Sequence, residues 1–414
     1  MDVAAPPASL AETLPVPAAA AGGSDAIPRA RVLMIGWEYP PFVAGGLGIA
    51  CEGLVHGLRD LGADIVLLLP GRRAPRAPRR RAPFAAPAGR GLRIVAIGTP
   101  LRPYEETGGL YGEQLLDEVS RLASVARIVA AEERFDVIHA HDWMTFPAAV
   151  AARDASGRPF VAHVHATEYA RSAGGAGDPV VSRLEGEGVR RADRVICVSG
   201  FTAGNVRRRY RVPESRIRIV HNAIDGGPAI ERTAPPAPPL VLFVGRLTRQ
   251  KGPGRFLEAA RRVLEGMPEA RFAIAGTGER LPWLRRRAGE LGLAGKVSFL
   301  GFVPPERLPG LYRRASVYVL PSVAEPFGLT VLEAMRQGVP TIAAKNAGVH
   351  EVVHSAIPVD AADVEELARQ ILLVLASPSL QSELSRRGRA EVAGLTWREP
   401  AARCLEIYRE VVSV

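Results

Sequence analysis

The sequence predicts an α/β protein whose two doubly wound domains face each other across a cleft. Three observations carry this prediction: a β-loop-α-β opening, a proline-rich stretch in the chain, and a second series of strands and helices after it. The chain of 414 residues is long enough for two large domains, and its 47% hydrophobic share supplies their cores. Such proteins bind ligands beyond the carboxyl ends of their strands, so we expect the functional site in the cleft.

The first half of the chain opens with a short apolar strand, Arg31 to Gly36, and a glycine-containing loop. A helix from about Gly48 to Leu61 then leads to a second strand, Asp64 to Leu69. Because a helix separates the two strands, we expect them to pair in parallel. Five more strands are predicted, with helices between most of them: Arg93–Ile97, Val137–His139, Phe160–Val164, Arg194–Val198 and Ile217–Val220.

Prolines and glycines in residues 226–239 predict a linker, after which the strand pattern restarts. The strands of the second half are predicted at Leu240–Val244, Phe272–Ala275, Val297–Leu300, Val317–Leu320 and Thr341–Ala343, and the last helices at Val364–Leu375, Gln381–Ala393 and Trp397–Val412. The predicted organisation is a disordered tail at 1–28, an N-terminal domain at 29–225, the linker at 226–239, a C-terminal domain at 240–395 and a final helix at 396–414.

The net charge of +10 comes mainly from arginine, since only three basic residues are lysine: Lys251, Lys296 and Lys345. The arginines are spread along the chain without a helix-turn-helix, zinc-finger or RNP-type signature, so no nucleic-acid binding is predicted. Three cysteines without metal-ligand spacing are predicted to be small buried hydrophobes in a reducing compartment. We see neither a membrane span of about 18 apolar residues nor the basic start of a signal peptide, so a cytoplasmic location is expected.

Arginines are concentrated among prolines in residues 71–90, between the predicted strands that end at Leu69 and begin at Arg93. One interpretation is a solvated, mobile loop. The other is a weak peripheral contact of Arg72–Arg81 with an anionic membrane surface or a polyanionic acceptor. Replacing these arginines by serine weakens sedimentation with anionic liposomes only under the second interpretation.

Two carboxylates, Glu325 and Glu333, flank a turn that opens a helix. A proline and a glycine break the preceding strand, and an apolar stripe at helical spacing follows. The backbone N–H groups of Gly328, Leu329 and Thr330 are therefore the unpaired donors of a helix N-terminus, which is a ready anion site. Glu325 suits a polyol at the reacting centre, Glu333 suits a ribose diol, and the amides between them suit a diphosphate.

Two other loops also have the character of phosphate sites. Arg246 and Lys251 lie in the loop after the strand Leu240–Val244, where a forked guanidinium and a compact ammonium together suit a diphosphate. Gly45 and Gly46 lie in the first β-to-α loop of the chain, where glycines let the backbone approach a ligand. All four residues follow strands, so they are expected at the cleft.

Polar residues end two further strands of the first half. Asp142 follows the strand that begins at Val137, and it suits either a contact with a ligand or the N-cap of the next helix. His165 follows the next strand and shares one face of it with His163, because side chains alternate along a strand. His141 is a third candidate. The residues alone leave open which histidine is functional.

The nonapeptide from Glu325 to Glu333 resembles the Glu-x7-Glu motif of retaining nucleotide-sugar glycosyltransferases of family 4. Residues 36–48 resemble the opening of bacterial glycogen and starch synthases, residues 139–143 the His-Asp-Trp segment, and residues 245–252 the Gly-Arg-Leu-x-x-x-Lys-Gly motif of these enzymes. The resemblance implies the GT-B fold, in which two Rossmann-like doubly wound domains face a cleft. It also implies that the N-terminal domain lies on the acceptor side, that the C-terminal domain binds the nucleotide sugar, and that the last helix crosses back to the N-terminal domain.

The same resemblance implies a role for each candidate residue. The implied catalytic residues are His165 beside the anomeric carbon, Glu325 on the sugar hydroxyls and Asp142 near the transferred sugar. The implied diphosphate contacts are Arg246, Lys251, Gly45, Gly46, Gly328, Leu329 and Thr330, with the ribose on Glu333. The implied nucleotide region contains Gly276, Gly278, Phe302 and Val303.

The resemblance implies transfer of glucose from UDP-glucose or ADP-glucose to a glycan, lipid or small-glycoside acceptor. No Asp-x-Asp pair occurs to bind Mg²⁺ or Mn²⁺, so no metal or other cofactor is expected. The chain departs from the family at Val43, where glycogen synthases usually have lysine, and at Ala347, where family members usually have the first of two glycines. Two alternatives stay open: a GT-B sugar-nucleotide epimerase, and a non-catalytic protein that binds polyanions or RNA.

Overall fold

A computed structural model describes residues 30–40, 45–71, 84–87, 91–98, 113–224 and 237–413 of the chain. These residues form two β-sheets, each packed against helices. The predictions for the tail 1–28, for the linker up to residue 236 and for Arg72–Arg81 concern residues outside these ranges. We call the first sheet and its helices the first lobe, and the second sheet and its helices the second lobe.

The strands of the first lobe are β1 (Arg31–Ile35), β2 (Asp64–Gly71), β3 (Phe84–Pro87), β4 (Leu92–Gly98), β5 (Val137–His141), β6 (Phe160–Val164), β7 (Arg194–Cys197) and β8 (Ile217–Ile219). They form one sheet in the order β3-β4-β2-β1-β5-β6-β7-β8. All neighbours are parallel except β3 and β4, which are antiparallel. Strands β5 and β6 are buried along their whole length, as expected for a sheet covered on both faces.

The prediction of a loop through residues 71–90 is wrong in part. Strand β2 continues to Gly71, and β3 adds an antiparallel edge strand beside β4. An edge strand is held by backbone hydrogen bonds and needs no apolar pattern of its own. This is why the basic and proline-rich composition of the segment concealed it.

The strands of the second lobe are β9 (Leu240–Val244), β10 (Arg271–Ala275), β11 (Val297–Gly301), β12 (Val317–Leu320), β13 (Thr341–Ala344) and β14 (Ile357–Val359). All are parallel, in the order β11-β10-β9-β12-β13-β14. The strand order reverses between β9 and β12, where a doubly wound sheet forms its ligand crevice. Strand β14 was not predicted because three residues that include a proline show no alternation.

The helices of the first half of the chain are α1 (Gly46–Asp60), α2 (Glu113–Glu132), α3 (Phe146–Ser156), α4 (Glu168–Arg171), α5 (Pro179–Arg191) and α6 (Gly200–Tyr210). Those of the second half are α7 (Pro253–Gly266), α8 (Leu281–Glu290), α9 (Leu308–Arg313), α10 (Leu329–Arg336), α11 (Val364–Ala376), α12 (Pro378–Ala393) and α13 (Arg398–Val412). Among the described residues, no helix combines the length and the apolarity that crossing a membrane requires. The predicted pair of doubly wound sheets is confirmed.

The last helix of the chain, α13, packs on α1 of the first lobe. Two glycines of α1 permit this close approach. A Cβ atom on Gly53 would overlap the indole of Trp397, and one on Gly57 would overlap the carbonyl oxygen of Trp397. Farther along α13, the hydroxyl of Tyr408 reaches Nδ1 of His139 in β5. The chain therefore returns to the lobe that it built first.

Candidate active site

Strands β1, β5 and β6 are neighbours in the first sheet, so their carboxyl ends meet at one edge. Strand β5 runs to His141, two residues beyond the predicted end at His139, so both histidines are inside the sheet. Buried imidazoles are tolerated in a strand when their nitrogens find hydrogen-bond partners, as most do here. Asp142 follows β5, and His165 follows β6.

Four imidazoles form one connected group, the histidine cluster of His139, His141, His163 and His165. His139 stacks on His141 with ring centroids 4.5 Å apart, and His163 stacks on His165 at 4.3 Å. Hydrogen bonds cross between the strands: His139 Nε2 lies 3.1 Å from His163 Nδ1, and His141 Nδ1 lies 2.9 Å from His165 Nε2. The three histidines that the residues offered as alternatives thus belong to a single structure.

The histidine cluster is uncharged near neutral pH. Burial, and then the neighbouring rings, hold the pKa of His139, His141 and His163 well below its usual range. For His165, burial and then the charge of Arg171 lower the pKa to about 3. A neutral imidazole donates a hydrogen bond from one nitrogen and accepts one at the other, so hydrogen-bond partners decide what each ring presents.

The carboxylate of Asp142 holds the loop that follows β6. Its Oδ1 accepts hydrogen bonds from the backbone N–H groups of His165 at 2.7 Å and Ala166 at 3.2 Å, and its Oδ2 lies 2.9 Å from Arg171 Nη2. The alternative of Asp142 as a helix N-cap is wrong, because Thr145 is the residue that precedes α3. A contact of Asp142 with the transferred sugar stays a prediction, whereas the structure shows that this carboxylate positions His165.

A buried charge network extends behind Asp142. Arg171 Nη1 lies 3.3 Å from Glu185 Oε1, while Glu185 Oε2 accepts hydrogen bonds from the backbone N–H of Glu168 at 2.9 Å and from the hydroxyl of Tyr210. Burial raises the pKa of Glu185 to about 7, although Arg171 opposes the rise. Sequence reasoning missed this network because its members come from α4, α5 and α6 and share no local pattern.

In the second lobe, Lys251 and Glu325 form a partly buried ion pair. Lys251 Nζ lies 2.9 Å from Glu325 Oε1 and 2.7 Å from Oε2, and the hydroxyl of Ser322 donates to Oε2 at 2.8 Å. Glu325 is 3% exposed, so these side chains take the place of water as its hydrogen-bond partners. The sequence predicted both charged residues at the site but neither their pairing nor the contribution of Ser322.

The predicted diphosphate-binding turns of the two lobes lie against each other. Gly328 precedes α10, and the first-turn N–H groups of Leu329 and Thr330 have no acceptor within that helix. Gly45 precedes α1, which begins at Gly46. A Cβ atom on Gly46 would lie 3.6 Å from Leu329 Cδ1, so the two turns are in contact range across the cleft.

Glu333 lies in the second turn of α10, where the sequence placed it. Its Oε2 accepts a hydrogen bond from the hydroxyl of Tyr312 at 2.8 Å. Burial raises the pKa of Glu333, and the Tyr312 hydrogen bond opposes that rise. Tyr312 was not predicted, and its effect is to orient one carboxylate oxygen of Glu333 while the other is left for a further hydrogen bond.

Arg246 lines a cavity of about 430 Å³ between the lobes. One wall comes from the region of α4 and α5 in the first lobe, and the other comes from the loop between β9 and α7 in the second lobe. Thr248 lies on the same loop, and its hydroxyl is buried without a hydrogen-bond partner among the described residues. The cavity therefore offers polar groups from both lobes.

Residues of the predicted nucleotide region follow β10 and β11. A Cβ atom on Gly276 would overlap the carbonyl oxygen of Gly245, and one on Gly278 would lie 2.7 Å from the carbonyl oxygen of Leu247. Close packing of two loops therefore accounts for both glycines. After β11, the side chain of Phe302 is 57% exposed, while Val303 packs against the core. Contact of these residues with a nucleotide stays a prediction.

Two polar contacts join the lobes beside the turn that follows Glu325. The hydroxyl of Ser199 donates to the carbonyl oxygen of Pro326 at 2.5 Å. The carboxylate of Glu351 accepts a hydrogen bond from the backbone N–H of Gly200, the first residue of α6, at 2.9 Å, and His221 Nε2 lies 2.8 Å from Glu351 Oε2. A carboxylate at a helix N-terminus is favourable. Sequence reasoning missed this inter-lobe contact of Ser199, Gly200, His221 and Glu351.

Two overlapping groups of described residues could hold a metal ion: Cys51 with His141 and His165, and His139 with His141 and His163. The ligand atoms in each group lie within 4.8 Å of one another. Their ring nitrogens instead form the hydrogen bonds of the histidine cluster. Burial raises the pKa of the Cys51 thiol, which disfavours the thiolate that a metal needs. All three cysteines are buried free thiols, as predicted.

Two doubly wound sheets, a cleft between them and facing turns before α1 and α10 are typical of GT-B glycosyltransferases. Comparison with known proteins agrees: residues 44–226 match the family model Glycosyltransferase Family 4, and residues 230–391 match the model Glycosyl transferases group 1. The chain belongs to this glycosyltransferase family and is a glycosyltransferase.

Individual relatives cover nearly the whole chain. It is 30% identical over 399 residues to the glycogen synthase of Mycobacterium tuberculosis, which covers 91% of this chain and 94% of the relative. It is 31% identical over 429 residues to the D-inositol 3-phosphate glycosyltransferase of Acidothermus cellulolyticus, with coverage of 95% and 93%. The solved structure of sucrose-phosphate synthase from Thermosynechococcus elongatus has the same fold, with a TM-score of 0.76, 22% identity and coverage of 93% of this chain and 100% of that chain.

Proposed function

We propose that the protein is a retaining glycosyltransferase that transfers glucose from UDP-glucose or ADP-glucose to a hydroxyl acceptor without a metal ion. The observation that carries this proposal is the meeting of the two lobes at one point. The Lys251–Glu325 ion pair and the N-terminus of α10 lie in the second lobe, and Gly46 of the first lobe lies against Leu329. One ligand can therefore contact the ammonium of Lys251, the carboxylate of Glu325 and the backbone N–H groups at the start of α10.

The donor diphosphate is the proposed ligand of the cationic side of the site. Lys251 supplies a compact charge, Arg246 supplies a forked set of donors, and the first turn of α10 supplies backbone N–H groups. Negative charge grows on the diphosphate as the glycosidic bond breaks, and donors already aimed at it stabilise the transition state. These groups take the place of the divalent cation that metal-dependent glycosyltransferases use.

The proposed reaction proceeds on one face of the sugar. The bond from the anomeric carbon to the diphosphate oxygen breaks, and its electron pair goes to that oxygen. The acceptor hydroxyl attacks the anomeric carbon from the same face, and its proton goes to the leaving diphosphate oxygen. Glu325 holds sugar hydroxyls, and the ring of His165 lies beside the developing positive centre.

The nucleoside half of the donor is proposed to lie along the second sheet. Glu333 accepts hydrogen bonds from the ribose hydroxyls at Oε1, since its Oε2 already accepts one from Tyr312. The exposed ring of Phe302 offers a face for stacking on the base, in the region of Gly276, Gly278 and Val303. Hydrogen bonds from the ribose to Glu333 and stacking of the base on Phe302 suit uracil and adenine alike.

The acceptor is proposed to enter the cavity between the lobes. Its volume of about 430 Å³ is typical of sites for small molecules. A small glycoside or the end of a glycan chain suits this size better than a lipid.

The three buried free thiols accord with a cytoplasmic location.

A donor screen in the presence of EDTA tests the proposed function. UDP-, ADP- and GDP-sugars are added to the protein, and thermal stability and release of nucleoside diphosphate are measured. We expect one donor to stabilise the protein, by about 2.7 kcal/mol at a hundredfold excess over its Kd, and to be slowly hydrolysed. Loss of activity with EDTA would contradict metal independence.

The two alternatives give different outcomes in the same screen. An epimerase converts one sugar nucleotide into another without an acceptor. Its product still carries the sugar on the diphosphate, so no nucleoside diphosphate accumulates. A non-catalytic polyanion-binding protein is stabilised by polyphosphate or RNA and by none of the sugar nucleotides. Either outcome would overturn the proposed transferase reaction.

A further inference from the structure

We propose that His141 sets the tautomer of His165, so that His165 presents an N–H donor at Nδ1 rather than a basic lone pair to the transferred sugar. His141 is thus a positioning residue. The role at the sugar rests on the proposed function, whereas the tautomer itself does not.

The rings of His141 and His165 share one hydrogen bond. His141 Nδ1 lies 2.9 Å from His165 Nε2, and one of the two nitrogens must carry the shared proton. The other nitrogen of His141, Nε2, is buried and has no hydrogen-bond partner among the described residues. In one tautomer of His141 this buried Nε2 carries a proton, and in the other it carries only a lone pair.

If His165 donated, His141 would carry its own proton at Nε2, as an N–H buried without an acceptor. If His141 donates from Nδ1, only a lone pair is left at Nε2. Among backbone groups in proteins, orphaned buried N–H donors are rarer than acceptors with an unused lone pair, and we apply the same order to the ring nitrogens. The structure therefore favours His141 as the donor and His165 Nε2 as the acceptor.

The inner pair of the histidine cluster has the same arrangement. His163 Nδ1 lies 3.1 Å from His139 Nε2, and His163 Nε2 is also buried without a partner in the described part of the chain. By the same reasoning His163 donates to His139, and His139 donates from Nδ1 to the hydroxyl of Tyr408. In both pairs, the ring whose Nε2 has no partner among the described residues therefore donates from Nδ1 to Nε2 of the other ring.

A second constraint fixes where His165 presents its free nitrogen. Asp142 Oδ1 holds the backbone N–H of His165 at 2.7 Å, while His141 holds Nε2 of the ring. With Nε2 acting as the acceptor, the neutral ring carries its proton at Nδ1, which has no partner among the described residues. The partly exposed ring can then donate to a sugar oxygen.

This tautomer excludes His165 as the base that takes the acceptor's proton. One ring nitrogen already accepts from His141, and the other already carries a proton. The tautomer thus accords with the proposed reaction, in which the proton of the acceptor hydroxyl goes to the diphosphate oxygen that receives the electron pair of the broken bond.

Substitutions of His141 test the proposal by position. His141→Asn places an amide N–H close to the position of Nδ1, so it can still donate to His165 Nε2. His141→Gln places its amide near Nε2 instead, and His141→Leu has no donor. We expect kcat to fall about 10–100-fold in the Gln and Leu variants with little change in the donor KM, and to recover in the Asn variant. Equal losses in all three variants would overturn the proposal.

Tyr408→Phe is the matched control. It removes the hydroxyl that His139 contacts at the far end of the histidine cluster and leaves all four imidazoles in place, so we expect lower stability but a kcat close to that of the wild type. A loss of kcat as large as that of His141→Leu would show that any damage to the cluster suffices, which contradicts a positional role.

A direct measurement decides the tautomer even if the variants fail to fold. Ring ¹⁵N chemical shifts of histidine-labelled wild-type protein distinguish protonated from bare nitrogens, and the spectrum of His165→Ala assigns the signals. We expect a protonated Nδ1 and a bare Nε2 at His165, and the opposite pattern would overturn the proposal. If no sugar nucleotide is turned over, the proposed function fails while this spectrum still decides the tautomer.

Discussion

The partly buried ion pair of Lys251 and Glu325 couples binding of the donor to stability of the fold, because substituting either residue affects both. The two charges lie 2.7 Å apart, with Glu325 buried and the side chain of Lys251 19% exposed. A donor diphosphate must therefore share Lys251 with Glu325. Removing Lys251 alone would leave a buried carboxylate, a change that typically costs about 3–5 kcal/mol, so its variants mix effects on folding and on binding.

Arg246 gives a cleaner test of diphosphate stabilisation because it lies on the cavity wall. We expect Arg246→Ala to lower kcat about 10²–10³-fold if it acts as a preorganised donor to the leaving group. The measurement is the steady-state rate of nucleoside diphosphate release. Arg369→Ala, at an exposed site on α11, serves as the control for the loss of an arginine. Turnover near that of the wild type would remove Arg246 from this role.

Glu185 predicts a dependence of stability on pH. Its pKa is raised from 4.5 to about 7 in the folded protein, so the folded state binds the proton more tightly than the unfolded state does. The free energy of unfolding therefore contains a contribution that is present below pH 4.5 and is lost as the pH rises to about 7.

Glu185→Gln mimics the protonated carboxyl and should remove that loss. We expect urea denaturation of the variant to depend less on pH than that of the wild type between these limits. Glu187→Gln, an exposed change on the same helix, should leave the wild-type dependence intact. Parallel pH profiles for wild type and Glu185→Gln would show that the pKa of Glu185 is not raised.

At the scale of elements, the contact of α1 with α13 depends on residues without side chains. Gly53→Ala puts a methyl group into the space of the Trp397 indole, so α13 must shift. We expect the free energy of unfolding to fall by about 1–3 kcal/mol, measured by urea denaturation. Gly289→Ala is the matched control, because a Cβ there meets no atom within 4 Å and alanine favours the helix. Equal stability of the two variants would contradict tight packing of α13.

The elements that the sequence could predict are those with a strong local pattern. Strands such as β6 and β12 are short, mainly apolar runs bounded by prolines and polar residues, and their bounds match the prediction. The edge strand β3 and the short β14 have no such pattern, because backbone pairing with a neighbour holds them. Local pattern thus predicts central strands and misses those whose support lies elsewhere.

The site divides in the same way. The turns before α1 and α10 follow strands and carry glycine and charge, so the chain alone indicates them. The partners that tune the predicted residues are far away in sequence: Tyr312 for Glu333, Ser322 for Glu325 and His141 for His165. Only the folded structure brings these partners together.

For the whole molecule, the inter-lobe contact ties α6 of the first lobe to the second lobe beside the turn after Glu325. Glu351→Ala removes the acceptor for Gly200 N–H and the partner of His221. We expect the turn to be held less firmly and the affinity for the donor to fall about 3–10-fold, because partial exposure of Glu351 reduces the hydrogen bond to about 1 kcal/mol. Calorimetric titration with the donor measures it.

Two comparisons make this result specific. Ser199→Ala, which removes the hydrogen bond to the Pro326 carbonyl, should lower donor affinity in the same direction. Glu383→Ala, an exposed change on α12, should have no effect. Unchanged affinity in Glu351→Ala would mean that the lobes are held in place without this contact.

The return of α13 to the first lobe also determines when that lobe can be finished during synthesis. Its α1 surface stays uncovered until the ribosome has made the entire second lobe, because Trp397 and the helix after it come later in the chain. The nascent first lobe therefore spends the translation of some 170 residues with an apolar groove open to solvent, a period in which chaperones have a defined place to bind. Emergence of α13 from the ribosome is then the event that covers this surface of α1.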